Sequence, residues 1–227
     1  SSCAFDDAQR RAATPMPKGC RILFVPAFQD FPVDPQIRQS AAGVAEMLEA
    51  LGHHVEVGAV PFDVERLNAI WSLIGPVGLA WLVDQGRLDV GLVSAPLCAM
   101  IEAGRTPPAT AYVQLMNDVR ALRAELAQVF KRYDFILTPS IAALSWPKAQ
   151  SHPTHIDGIE VGPRGHAIFT AFVNAGGLPG INIPGAPADS GLPIGCQIVG
   201  PYGSDLALLA MADAYAEAFG TYCWPPL

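Results

Sequence analysis

The chain alternates between short apolar runs and amphipathic stretches of helical period. Arg21-Ile22-Leu23-Phe24-Val25 is an apolar run stopped by Pro26, which predicts a strand. Asp34-Pro35 then opens a helix, with the aspartate as N-cap and the proline at the first helical position. Ile37, Ala41, Val44, Leu48 and Leu51 recur at steps of three and four and form its apolar face, and Gly52 suits a left-handed stop. Val55 and Val57 alternate with polar neighbours as a second strand. Strand, helix and strand in this order indicate a crossover within a largely parallel sheet.

Farther along, Glu65 to Val83 is broadly helical, with a break expected at Gly75-Pro76. A long helix follows from about Pro108 to Tyr133, its face made of Tyr112, Leu115, Val119, Leu122, Leu126 and Val129. Asp134 to Thr138 is a buried strand ending at Pro139, and residues 140–164 are expected to be a polar loop. Gly165 to Asn174 suits a helix. Ile181-Asn182-Ile183 and Ile194 to Val199 suit two adjacent strands joined through Asp189-Ser190-Gly191. Ser204 caps a last helix that turns Leu206, Leu209, Met211 and Tyr215 inward. With no repeat and no low-complexity linker, the expectation is one α/β unit over residues 1–227, a mixed sheet flanked by helices.

Composition narrows the function classes. Hydrophobic residues make up 51% of the 227 positions and charged residues 15%, enough for a sizeable core. The net charge of −7 and the scattered basic residues argue against a nucleic-acid partner. Five cysteines (Cys3, Cys20, Cys98, Cys196 and Cys223) show neither zinc spacing nor a disulfide framework, so reduced thiols in a cytoplasmic protein are expected. The chain starts Ser1-Ser2-Cys3-Ala4 without an initiator methionine, which suggests a trimmed chain. The apolar run from Ala69 to Val83 is shorter than the ~20 residues of a membrane span, so no span is expected and a buried helix pair is. A ligand-facing or membrane-touching cap is the sharper alternative.

Generic catalytic motifs are missing. No Gly-x-Ser-x-Gly elbow occurs, and Ser140, His152, His155 and Asp157 are a set along one loop rather than a triad. His152-Pro153-Thr154-His155 would bring two ligands together only on a helix, which Pro153 opposes, so no metal is expected. His53-His54 follows a helix end, where a partly charged histidine is favoured. Gln197, inside an apolar strand, needs partners and is read as a tie to a neighbouring loop.

Three linked segments are more specific. They are Tyr133 to Ser140 with Thr138-Pro139-Ser140 at a strand end, Phe169 to Pro184 with Asn174, Gly177-Leu178-Pro179 and Pro184, and Gly191 to Gly200 with Gly191-Leu192-Pro193 and Gln197. In this order and spacing, preceded by Lys18 to Pro26, they resemble the C-terminal half of amidase-signature enzymes. The resemblance implies an α/β fold equivalent to that half, with Thr138, Pro139, Gly177, Leu178, Pro179 and Gln197 as structural motif residues. It implies hydrolysis of carboxylic amides through an acyl-enzyme, by a serine, a second serine in a cis peptide and a lysine base. Those groups belong to the family's other half. Ser1-Ser2 lack flanking glycines, and Lys18, Lys131 and Lys148 lie in non-catalytic segments, so no catalytic residue is assigned and the chain alone is expected to be inactive. Ala167 stands where glutamine-using amidotransferase subunits carry an acidic residue, which favours a hydrolase of less polar amides. The rival class is a binding or scaffolding module derived from an amidase, and a third is a metal hydrolase using His152 and His155. Ser140, Trp146, Phe172 and Asn174 are the candidates for lining a substrate pocket. The expected partner is a small-molecule amide or ester for the complete enzyme, with no cofactor, and with a homo-oligomer left open.

Overall fold

In the computed structural model, which describes residues 15–220, the apolar run after Lys18 becomes strand β1 (Arg21–Phe24). Helix α1 (Pro35–Ala50) starts where Asp34 accepts a hydrogen bond from the Gln36 N–H at 2.9 Å, with proline in the first turn. Ile37, Ala41, Val44 and Leu48 are buried as the spacing dictates. Gly52, at φ 90°, turns the chain into strand β2 (His54–Val57). The sheet is completed by β3 (Phe135–Pro139), β6 (Gly180–Pro184) and β7 (Gly195–Val199), in spatial order β2-β1-β3-β7-β6. β1 runs parallel to β2 and β3, whereas β7 is antiparallel to both β3 and β6. The mixed α/β sheet is thus the fold class that the sequence pattern predicts.

One sheet face carries Ile22, Phe24, Phe135, Leu137, Ile183, Cys196 and Ile198, packed against α1 and against helix α6 (Asp205–Phe219) through Leu208, Met211 and Tyr215. Strand alternation turns Leu23, Ile136, Thr138, Gln197 and Val199 to the opposite face, and all five are buried too. Phe28 meets Phe169 edge-on with ring centroids 4.9 Å apart and Phe172 at 6.0 Å. Gln197 ties the layers together, donating to the Phe169 carbonyl at 3.2 Å and to the Thr138 hydroxyl at 3.4 Å.

The contacts divide the chain into two compact units, residues 62–126 and the remainder, a division that no linker sequence announces. The smaller unit contains α2 (Val64–Asp84), α3 (Ala95–Gly104) and most of α4 (Ala109–Val129). Two expectations are corrected here. α2 is unbroken at Gly75-Pro76: the carbonyl that Pro76 cannot serve belongs to Ser72, an exposed residue, where the lost bond costs least. The helix pair is only partly buried: α2 is long and apolar enough to cross a membrane, yet 17% of its most apolar window is buried. α4 ends at Val129, earlier than Tyr133, in a turn where the Arg132 and Tyr133 N–H groups both donate to the Val129 carbonyl, and Tyr112 of its expected apolar face is exposed.

Other differences have local causes. The stretch 165–174 is not one helix but a 3-10 turn (Gly165–Ala167) followed by α5 (Ala171–Gly176). The carbonyls of His166 and Phe169, which a continuous helix would need, instead accept the Ala142 N–H and the Gln197 side chain. The expected loop 140–164 contains the hairpin β4 (His155–Ile156) and β5 (Ile159–Glu160), turned by Asp157 at φ 50° and Gly158 at φ 74°. α6 buries Leu208, Ala210, Met211 and Tyr215, while Leu206 and Leu209 are half-exposed.

Candidate functional site

The parallel strand β3 stops at Pro139, and the chain leaves the sheet at its carboxyl end, where crevices form in open α/β sheets. The Ser140 N–H donates to the Gly195 carbonyl at 3.1 Å, and its hydroxyl donates to Asn182 Oδ1 at 2.6 Å. Two residues on, Ala142 is pinned from both sides. Its N–H donates to the His166 carbonyl, and its own carbonyl accepts the Asp34 N–H, both at 2.9 Å. The start of α1 and the 3-10 turn are thereby held around residues 141–146. Trp146 fixes its indole by donating to the Gln150 carbonyl at 3.0 Å, and its ring lies 4.9 Å from that of His166.

Two cavities share this segment in their walls. One, of about 440 Å³, is walled by Ile37, Ile141, Leu144, Trp146, Leu192 and Ile194, with Ser145 and Ser190 as its polar groups. The other, of about 310 Å³, shares Ala143 to Trp146 and is more mixed, with Asp34, Gln150, Thr154, His155 and Asp157 beside Pro147, Pro153 and Ile156. Asp157 of this lining pairs with Arg38 at 3.0 Å. The first has the composition of a small-molecule site: apolar walls, one aromatic and a few polar groups.

Of the four pocket candidates, Trp146 lines both cavities. Ser140 sits at the strand end beside Ile141, its hydroxyl occupied by Asn182. Phe172 and Asn174 are not brought to the cavity walls. The Phe172 ring is fully buried beside Phe28, and Asn174 is exposed on α5. Helical period separates them, since neighbours two apart on a helix point to different sides. Among the motif residues, Thr138 and Gln197 form the buried tie described above, and Gly177 stops α5 at φ 67° before Leu178-Pro179 lead into β6. Ile37, Ile141, Leu144 and Leu192 line the site without having been singled out. The Gly-Leu-Pro at 191–193 was the available signal for Leu192.

His166 was missed as well. Its Nδ1 is buried without a hydrogen-bond partner, and burial, then Arg164 and His152, hold its pKa below the ordinary histidine value. His53 corrects the expectation of a partly charged histidine. It is buried, its Nδ1 accepts the Cys20 N–H at 3.3 Å, and burial, then His54, lower its pKa, so the ring is held neutral. Burial likewise pushes the Cys196 thiol up to about 12, so it is no nucleophile. His152 and His155 pair with their neighbours Ser151 and Thr154. Among the described residues, no cluster of three or more His, Cys, Asp or Glu could hold a metal. Ser1-Ser2, Cys3 and Cys223 lie outside the described residues.

The family model described as Amidase matches residues 2–209. A Pseudomonas putida protein named amidase is 24% identical over 187 residues, covering 82% of this chain and 40% of its own length. Among solved structures, 6-aminohexanoate cyclic dimer hydrolase superposes with a TM-score of 0.78 at 23% identity, over 96% of this chain and 48% of that one. A bacterial aryl acylamidase of the amidase-signature enzymes gives 0.76 at 22% identity, over 95% and 46%. These superpositions establish a shared fold. The chain spans about half the length of the solved chains it matches and 40% of these curated relatives.

Proposed function

Because the chain belongs to the amidase family, we propose that it forms the substrate-side half of a hydrolase cleaving the C–N bond of carboxylic amides. The observation that carries this reading is the apolar cavity of about 440 Å³ beyond the carboxyl end of β3, with Trp146 as its largest wall. Such a cavity selects the acyl or leaving group by shape and desolvation. It holds no nucleophile next to a base.

The chemistry comes from the family's serine, cis-serine and lysine. The lysine takes a proton through the cis-serine, the nucleophile attacks the carbonyl, the amine leaves with a proton, and water releases the acid. These groups are supplied by the portion of the domain that relatives carry beyond the part matched here. Residues 15–220 alone therefore orient a substrate and do not turn it over. Ala167, half-buried in the 3-10 turn, offers no carboxylate to a substrate ammonium group, in keeping with a less polar amide.

The test joins this chain to the portion of the Pseudomonas putida amidase that it does not match, and measures hydrolysis of anilides with acetyl and with bulky aromatic acyl groups. The fusion is expected to hydrolyse both, and the chain alone neither. Trp146→Ala in the fusion lowers kcat/KM for the bulky anilide about tenfold or more relative to the acetyl one. Turnover by the chain alone refutes the division of labour. A folded fusion with no amide hydrolysis favours a binding module instead.

A further inference from the structure

Part of the wall of the apolar cavity is a loop. Residues 185–194, between β6 and β7, supply Ala188, Ser190, Leu192, Pro193 and Ile194 to the lining. Ala188 and Ile194 are buried, whereas the tip, residues 189–193, is exposed. The loop is folded on itself. The Gly185 N–H donates to the Ile194 carbonyl and the Ala188 N–H to the Leu192 carbonyl, both at 2.9 Å, and the Gly191 N–H donates to the Ala188 carbonyl at 2.8 Å. Such a loop keeps its own shape, but its placement against the cavity depends on what holds it from outside.

Helix α1 holds it at two positions four residues apart, on one helix face. Near the start of the loop, the buried Ser40 hydroxyl donates to the Ala186 carbonyl at 2.8 Å. A methyl added to Gly185 would collide with the Ser40 side chain, so loop and helix are in close contact there. At the tip, Gln36 Oε1 accepts the Asp189 N–H at 2.8 Å. Among the described residues this is the one hydrogen bond that ties residues 187–193 to another part of the chain. Its two ends flank the cavity: Ile37, next to Gln36, lines it, and so do Ala188 and Ser190 on either side of Asp189. The Gln36 backbone N–H is the group that Asp34 caps, so the side chain has no part in starting the helix.

We infer that Gln36 is a positioning residue for substrate selection: by clasping the Asp189 N–H it fixes the β6–β7 loop as the wall against which an aromatic acyl group packs. The inference rests on the reading of this cavity as a substrate site. An apolar wall discriminates between ligands only while it stays in contact, since a gap of about 0.5–1 Å forfeits a quarter to a half of the dispersion attraction. An exposed loop tip without its anchor moves through distances of that order. A bulky ring therefore depends on the clasp, whereas an acetyl group, with a single methyl to place, gains little from it.

The experiment measures binding on the chain itself and hydrolysis on the fusion with the Pseudomonas putida portion. Benzanilide titrated against the chain shifts the Ala188 and Ser190 amide resonances. Gln36→Ala removes the acceptor, keeps the N–H that Asp34 caps and is a good helix former. It speeds Asp189 amide exchange about tenfold or more and weakens benzanilide binding about fivefold or more. Gln36→Glu, which retains an acceptor oxygen and suits the first turn of a helix, restores both. In the fusion, Gln36→Ala raises KM for benzanilide about fivefold and leaves kcat for benzanilide and acetanilide unchanged. A merely structural role would lower turnover of both anilides together, and that result overturns the clasp. So does unchanged Asp189 exchange, unchanged benzanilide binding, or no shift at residues 188 and 190 in the unsubstituted chain, and none of these touches the proposed function if the fusion is active. Binding weakened by Gln36→Ala and restored by Gln36→Glu upholds the clasp even where the unsubstituted fusion is inactive, and that inactivity overturns the function alone.

Discussion

β3 and α2 are both strongly apolar in sequence, and their surroundings are opposite. Every residue of β3 is buried, because α1 and α6 cover one sheet face and the Phe28, Phe169 and Phe172 rings lie with the other. α2 buries four of its 21 residues, and Trp81 on it is 51% exposed. Its neighbour α3 leaves Leu97 and Met100 exposed, and Leu92 in the connecting turn is 85% exposed. A sheet strand has neighbours on two sides and packing on two faces. A helix in a pair is covered along one stripe only, and the rest of an all-apolar helix stays uncovered. Apolar sequence therefore specifies burial in the sheet and merely permits it in the helical unit.

Substitutions can break this comparison from either side. The largest effect is expected from Phe172→Ala, which opens a cavity in the aromatic cluster and costs about 3–5 kcal/mol, read as a lower urea midpoint. The helical unit should respond less. Gly104 lies so close to Pro76 that an added methyl would meet the Pro76 carbonyl oxygen. Gly104→Ala is expected to cost about 1–3 kcal/mol, visible as increased amide exchange confined to α2 and α3. An equal loss in both variants would mean that the helical pair is as tightly packed as the sheet.

Acid sharpens the comparison. His53 is buried in the sheet unit with a lowered pKa, so below the ordinary histidine value the unfolded chain binds a proton that the folded chain refuses. The associated stability is fully present above about pH 6.5 and is lost as pH falls from there toward the folded-state value. His53→Gln should flatten that part of a stability-against-pH curve, measured by urea unfolding between pH 5 and pH 7.5, chosen as about one unit or more on either side of 6.5. His166 contributes in the same direction, so some slope remains. The smallest change is expected from Arg38→Ala. Its pair with Asp157 is exposed on both sides, and its loss should shift stability by about 0.5 kcal/mol or less.

Legibility followed locality. The Asp34-Pro35 cap, the α1 face, the Thr138-Pro139 strand end and the β6–β7 pair were readable because each depends on neighbours within a few residues. The β4–β5 hairpin went unread within the expected loop 140–164, although Asp157-Gly158 between Ile156 and Ile159 is the signature of a two-residue turn. It was obscured by the prolines and histidines before it. The α6 face was not readable. From Leu206 to Met211 every residue is apolar, so no period marks an inward side, and Leu208 is chosen by the sheet it packs on. Trp146, singled out in the sequence, lines the cavity, whereas the Phe172 motif is indifferent to whether its ring faces a cavity or the core.

By itself, then, the sequence determined the family, the succession β1, α1, β2 and the chain's exit at Pro139, because turn chemistry, caps and motif spacing are covalent and local. Only the tertiary structure decided which carbonyls of residues 166–169 were taken by Ala142 and Gln197, and which apolar helices stayed uncovered. Each of those outcomes is a competition among partners far apart in the chain, and a hydrogen bond or a covered face goes to whichever group the fold brings within reach.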